Sequence, residues 1–294
     1  MKDQDKAYIY AFLTIFFWST VATAFKLSLE YLDVFQLLFI ATLTSFLIFL
    51  IFLITTGQFK FIFHSTKGEI LNSVLLGFLN PFFYYVILFK AYSLLPAQVA
   101  QPLNMIWPIV LVFLSIPMLG QKIGYRSFIA LLISFAGVYL ISSEGNPGNF
   151  AVSSPFGTVL ALGSSVIWSL FWIINLKDKR NEVLKLFMNF FFAMLFVSLS
   201  LLLFSDLKTI NVAGLAGGIY VGIFEMGISF VFWMKALQYA RTTDTISNLI
   251  YLSPFISLFF IHLFVGEEIY FTTFIGLFMI VLGILYQKLG KRVI

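Results

Sequence analysis

Glu225 stands about twelve residues into an apolar stretch that runs from 213 to 238. A carboxylate at that depth costs at least about 2.5–3.5 kcal/mol on insertion scales. It has to face a cavity, hold a partner or carry a proton. Its chemistry is therefore that of a proton-coupling site or a counter-ion for a substrate ammonium, the plainer alternative being a neutral packing residue beside nearby glycines. Lys90 and Lys235 lie late in their own apolar stretches. They could bind a substrate carboxylate or close a gate, or they could send their ammonium heads to the interface while the stems stay in apolar surroundings. Ten residues, about 15 Å of helix, separate Lys235 from Glu225, so the two are not an intrahelical ion pair.

A second set of polar and aromatic residues gathers around two prolines. Gln98, Gln101, Asn104 and Trp107 precede Pro108, and Ser247, Asn248 and Tyr251 precede Pro254. A proline inside a helix removes a backbone hydrogen bond and permits bending, so Pro108 and Pro254 are hinge or kink candidates. Buried amides need partners, which a water-filled cavity supplies. Together with Trp18, Tyr84, Tyr85, Trp168 and Trp172 they form the candidate lining of a substrate cavity. Aromatic residues are 19% of the chain, including 38 Phe, so many others simply face lipid or neighbouring helices. Gly214, Gly218 and Gly222 make a small-residue face for close helix packing on the helix that carries Glu225. That spacing predicts Glu225 on the same side as the glycines, pointing into the bundle.

Other chemistries find no residues to carry them. There is no cysteine, hence no disulfide, Cys-ligated metal or thiol nucleophile. His-Glu-x-x-His, Gly-x-Ser-x-Gly and Walker-type signatures are absent, and the two histidines, His64 and His262, have no partner at metal-ligand spacing. No cofactor and no enzyme activity are expected.

The elements that hold these residues are read from composition. The 294-residue chain is 61% hydrophobic and 11% charged, against about 45–50% and about 25% in soluble domains. A soluble fold is excluded. Charges and turn residues divide the chain into ten apolar segments: 7–25, 36–55, 70–91, 97–119, 124–142, 156–176, 184–204, 213–238, 245–265 and 271–289. Each is close to the length that crosses a bilayer.

Fourteen Lys and Arg fall on the side of the N-terminus, against Lys26 and Lys208 on the other. Short basic loops stay cytoplasmic, so both termini are expected inside, in the cytoplasmic (inner) cell membrane. The net charge of +5 reflects this topology rather than a nucleic-acid partner. Lys2, Lys6 and Ala22-Thr23-Ala24 imitate a cleaved secretory signal. Removing it would leave nine helices and delete Trp18.

An internal repeat organises the ten segments. Gly77-Phe78-Leu79-Asn80 with Lys90-Ala91 matches Gly222-Ile223-Phe224-Glu225 with Lys235-Ala236 at an offset of 145. Pro108, Gly120, Phe128 and Gly137 match Pro254, Gly266, Phe274 and Gly283 at 146, and Trp18-Ser19 matches Trp168-Ser169 at 150. This predicts two units, 7–142 and 156–289, joined by a linker over 143–155. Five helices per unit is an odd number, so the second unit enters the membrane from the opposite face. Inverted repeats of this kind let one chain exchange its open side, as many secondary transporters do.

With these motifs the chain resembles a ten-helix member of the drug/metabolite transporter superfamily with two EamA-type domains, from about Tyr8 to Lys288. The resemblance rests on Trp18 and Trp168, the Lys-Ala pairs, and Pro108 and Pro254 with the apolar run to Gly266-Glu267. Gly120-Gln121-Lys122 departs from the family, which usually has an acidic residue there. The resemblance implies an all-α polytopic membrane protein of ten transmembrane helices in two inverted five-helix repeats. It implies a transporter, which the inverted repeat makes one of alternating access; the one carboxylate and two lysines inside the helices point to an amino acid, similar zwitterion or amphipathic compound, with Glu225 as coupling group or counter-ion. Expected partners are the small-molecule substrate, the lipid bilayer and a second copy in a homodimer, and no nucleic acid. The competing classes are an intramembrane enzyme and a passive channel or structural membrane subunit.

Overall fold

The computed structural model describes residues 3–120, 124–148, 153–206, 211–240, 246 and 248–289, and at 248, 288 and 289 the backbone alone. Eight helices are long and apolar enough to cross a bilayer: α1 Asp3–Ser28, α2 Val34–Thr55, α3 Lys67–Leu94, α4 Ala97–Leu119, α5 Tyr125–Ser142, α6 Pro155–Asn175, α7 Glu182–Phe204 and α8 Val212–Tyr239. Two shorter apolar helices complete the ten: α9 Leu249–Val265 and α10 Phe271–Leu289. No strand occurs among the described residues. The protein is an all-α multi-pass membrane protein, with helix limits within a few residues of those read from hydropathy.

Local chemistry sets the ends of these helices. Asp33 starts α2 by accepting hydrogen bonds from the N–H groups of Phe35 and Gln36, while the Gln36 side chain accepts from the Asp33 N–H. Thr66 and Glu69 form the same reciprocal box at the start of α3. Gly120 (φ 66) and Gly266 (φ 78) end α4 and α9 in the left-handed conformation that glycine alone adopts without strain. These two glycines are repeat partners.

The repeat is visible as paired contacts across the molecule. Ser19 Oγ donates to Ser253 Oγ (3.3 Å), and their repeat partners meet where Ser169 Oγ donates to the Trp107 carbonyl (2.8 Å). Gly77 lies against the backbone of Asn189, and the related pair Gly222 and Thr44 are in similar contact. Gly137 meets Gly276 where α5 crosses α10, and Gly283 meets Ala130 in the related place. Each contact maps onto the other when the halves are exchanged, as a pseudo-two-fold axis between inverted repeats requires.

The same symmetry governs where the helices break. α3 and α8 open into wide π turns at Phe78–Phe83 and Gly222–Gly227, related positions in the two halves. Such turns insert a residue into the helical ladder and rotate the faces of the helix beyond them. α4 is interrupted at Met105 and Ile106, and α9 begins as a 3-10 segment over Asn248–Leu252. The prolines therefore do not sit mid-helix as expected. Pro108 and Pro254 each occupy the first turn of a renewed helix, where a missing N–H costs nothing.

On the face that carries the termini, Arg180 in the loop after α6 pairs with Asp178 (2.6 Å) and donates to Ser73 Oγ (2.7 Å), while Asn72 donates to Asp178 (3.0 Å). This ties α3 to the second half. Burial alone would raise the Asp178 carboxyl, but hydrogen bonds and charge from Arg180, with Asn72, more than offset it and hold its pKa below the ordinary aspartate value. A depressed carboxyl contributes stability above its unfolded pKa of about 3.9 and loses it as pH falls through the lower folded value. Asp178→Asn is accordingly expected to destabilise at neutral pH by about 3 kcal/mol, as for opening a buried ion pair. Its melting temperature should converge on the parent's below about pH 4; an undiminished gap in acid would count against the pairing.

Candidate functional site

A cavity of about 420 Å³ lies between the two halves, within the range of small-molecule sites. From the first half it is lined by Trp18 on α1, Tyr84 on α3, and Gln101, Asn104, Trp107 and Pro108 on α4. The second half contributes Trp168 and Trp172 on α6, Glu225 on α8, and Tyr251 from the start of α9. The structure thus brings most of the sequence-predicted residues together. All five tryptophans of the chain, Trp233 included, stand on this one wall.

Glu225 reaches the cavity because of the π turn. Gly218 and Gly222 press against Ile40, Ala41 and Thr44 of α2, whereas the Glu225 carboxylate accepts a hydrogen bond from Tyr85 Oη at 2.9 Å and lines the cavity. A regular helix would have kept acid and glycines on one face, as the spacing predicts; the extra residue in the turn separates them. Trp18 Nε1 donates to the Glu225 carbonyl (3.3 Å), clasping the opened turn from α1.

Tyr84 and Asn104 on the wall are committed to each other and to Ser164. Tyr84 donates to Asn104 Oδ1 (3.2 Å), Asn104 Nδ2 donates to Ser164 Oγ (2.8 Å), and the Tyr84 ring lies 4.8 Å from that of Trp168. Gln101 Oε1, Trp172 Nε1 and Gln287 Nε2 have no hydrogen-bond partner among the described residues.

Several expectations change. Tyr85 is fully buried behind the wall, where its hydroxyl donates to Glu225 and its ring packs on Tyr84. Gln98 is not in the cavity: its amide nitrogen donates to the Glu268 carbonyl and its oxygen accepts from the Tyr270 N–H. Lys90 is exposed and absent from the lining, and Lys235 lies over the Tyr10 ring, 5.4 Å from its centroid. Lys90 thus stands exposed near the end of α3 and Lys235 half-buried against Tyr10, and neither side chain lines the cavity. Pro254 is buried beside the site without lining it. Ser247 and the Asn248 side chain lie outside the described residues. Sequence reasoning missed Phe25, Tyr92, Phe230, Trp233 and Gln287. For Trp233 a signal existed, since it follows Glu225 by eight residues, close to two helical turns.

The two ends of the cavity differ. Its lining reaches Leu176, at the end of α6 on the face of the termini. Toward the opposite face it stops at Phe25 and Tyr92, whose rings meet at 5.3 Å, with Phe89 4.8 Å from Phe25. Above them Lys26 Nζ donates to the carbonyls of Tyr92 (3.0 Å) and Leu95 (2.7 Å). Close by, the Glu267 carboxylate accepts from the first N–H groups of α4, Ala97 (2.6 Å) and Gln98 (3.1 Å), where negative charge complements the helix dipole. The repeat partner of Lys26 is Leu176, which makes no such bond; that of Glu267 is Gln121, outside the described residues. Among the described residues the lining runs out to the exposed Leu176 on the face of the termini and ends at the Phe25–Tyr92 pair toward the other.

Two charge-assisted hydrogen bonds are worth about 1.5–3 kcal/mol each, so Lys26→Met should shift the balance toward opening beyond Phe25 and Tyr92. The cysteine-free chain allows a direct check with a single cysteine at Leu88 on the cavity wall. An impermeant maleimide should label it from the face of the termini only, and Lys26→Met should raise labelling from the other face about tenfold or more. Equal labelling from both faces in the parent would contradict closure at that end.

A model of the EamA-like transporter family matches residues 5–143 and 155–286. This chain belongs to that family. A protein of Archaeoglobus fulgidus named "Uncharacterized transporter" is 24% identical over 293 residues, covering 98% of this chain and all of that one. A second protein of that organism with the same name is 26% identical over 57% of this chain and 58% of its own length, so the aligned stretch spans little more than half of it. The Bacillus subtilis "Uncharacterized transporter YvbV" is 33% identical over 92 residues, 31% of this chain and 29% of its own. A solved crystal structure shares the fold with a TM-score of 0.67 at 19% identity, over 98% of both chains.

Proposed function

We propose that this protein is a secondary transporter that moves a small amphipathic metabolite across the cell membrane by alternating access. The units 7–142 and 156–289 exchange conformations about their pseudo-two-fold axis, and the termini lie in the cytoplasm. Glu225 is the coupling or counter-ion group. Trp18, Tyr84, Gln101, Trp107, Trp168 and Trp172 contact the substrate.

The observation that carries this reading is the unequal closure of symmetric halves. The cavity with Glu225 lies between them, ending at Phe25, Tyr92 and Lys26 on one side and, among the described residues, reaching the exposed Leu176 on the other. An inverted repeat supplies the second state at little cost, because each half can adopt the arrangement its partner has now. A passive pore has no need of such exchange.

The test is reconstitution in liposomes with a ligand chosen by thermal-shift screening, since a molecule that binds only the folded state raises its stability. Saturable, ligand-specific flux with counterflow supports the carrier. Unsaturable flux points instead to a pore, and conversion of the ligand to an enzyme.

A further inference from the structure

We infer that the cavity is a site for a monovalent organic cation, an ammonium carried on an aromatic or alkyl body, rather than for an amino acid. The inference rests on the transporter reading for its flux, but not for the ligand it names.

Charge makes the first argument. Glu225 is the one carboxyl side chain among the described lining residues, which include no Lys, Arg or His. The lysines that could have met a substrate carboxylate, Lys90 and Lys235, lie elsewhere, and Lys26 is spent on two backbone carbonyls. A zwitterion would bring a carboxylate into a largely apolar wall beside an acid, with no cationic side chain among the described lining residues to neutralise it. A cation finds Glu225.

The ring faces make the second. Aromatic rings carry negative charge on their faces and attract a desolvated cation, tryptophan most strongly. Concentrating all five tryptophans on one wall, when Phe is the chain's commonest aromatic by far, is what cation recognition would use. The Asn104 amide is already shared between Tyr84 and Ser164, so the free polar atoms on the wall are those of Gln101, Trp172 and Gln287. The cavity volume of about 420 Å³ accommodates an apolar body along with the ammonium.

The experiment uses three probes with one body: 2-phenylethylammonium, neutral 2-phenylethanol and zwitterionic phenylalanine. Each is titrated into the purified full chain near neutral pH while tryptophan fluorescence is read, and then tested for flux in liposomes. The cation is expected to change the fluorescence saturably and to bind about tenfold or more tighter than the other two. Glu225→Gln should erase that preference at an unchanged melting temperature. Trp168→Phe should weaken the cation less than Trp168→Leu, a ring-specific gradation that a packing role does not produce. Tighter binding of phenylalanine or phenylethanol, or no saturable cation binding, overturns the inference; phenylalanine flux would then leave the transporter standing. Cation binding without flux keeps the ligand class and removes the transporter.

Discussion

Glu225→Gln is expected to abolish gradient-driven accumulation while leaving the protein folded. The substitution keeps the side chain's shape, and the amide oxygen can still accept the Tyr85 hydroxyl that now donates to the carboxylate at 2.9 Å. What disappears is the negative charge and the exchangeable proton. No other carboxylate, Lys, Arg or His is among the described residues that line the cavity. For a cationic ligand the loss corresponds to about 2–5 kcal/mol for removing one partner of a buried charge pair. That is roughly 30-fold to several thousandfold in affinity. Flux should also lose its dependence on pH. Downhill exchange measured beside accumulation separates coupling from binding, and a melting curve confirms the fold. Accumulation and pH profile both unchanged would remove Glu225 from the mechanism.

The second large effect concerns assembly. Gly137→Leu is expected to prevent the halves from closing, because a Cβ on Gly137 would stand 2.5 Å from the Gly276 carbonyl oxygen. Gly276 meets the Gly137 carbonyl at the same distance, so backbone faces backbone and no flexible side chain can yield. α5 and α10 have to separate, which breaks the most extensive helix pair in the molecule and its small-residue packing. Overpacking a tight core ordinarily costs about 1–3 kcal/mol and more where backbone has to move. Loss of the monodisperse size-exclusion peak, or a strongly lowered melting temperature, is the expected result. Gly163→Leu on α6 is the control, since a Cβ there meets nothing within 4 Å. Equal behaviour of the two variants would mean that the crossing does not hold the halves together.

Both variants also show what kind of information each level carries. Gly137 and Gly283 were legible as repeat partners, and the repeat with its odd helix count predicted inversion from residue spacing alone. That α5 and α10 cross through those glycines was not legible, because a contact between residues 137 and 276 depends on how ten helices settle around one another. The helix limits followed from hydropathy, since apolar length against bilayer thickness is a property of the sequence. Trp18, Trp168, Tyr84 and Glu225 were found because a buried polar or paired residue is costly wherever the chain places it.

The errors have a common physical source. Lys90 and Lys235 were candidate gates because lysine in an apolar helix demands an explanation, but direction around a helix is decided by which face the neighbours cover. The lysine beside the closed end of the cavity is instead Lys26, whose charge finds the open carbonyls at the end of α3. Counting by helical period set Glu225 beside Gly222, and a π turn parted them. Ladder defects of this kind arise from packing between segments, here with Trp18 of α1 clasping the opened turn.

The sequence by itself therefore determined a ten-helix membrane protein built from two inverted halves with an acid and several tryptophans buried between them, since those follow from transfer free energies and periodicity that each segment carries alone. Only the tertiary structure decided which groups face the cavity and which lysine stands at its Phe25–Tyr92 end. Those properties depend on side-chain direction and on contacts between segments far apart in the chain, where symmetry-related residues such as Lys26 and Leu176 make unequal bonds.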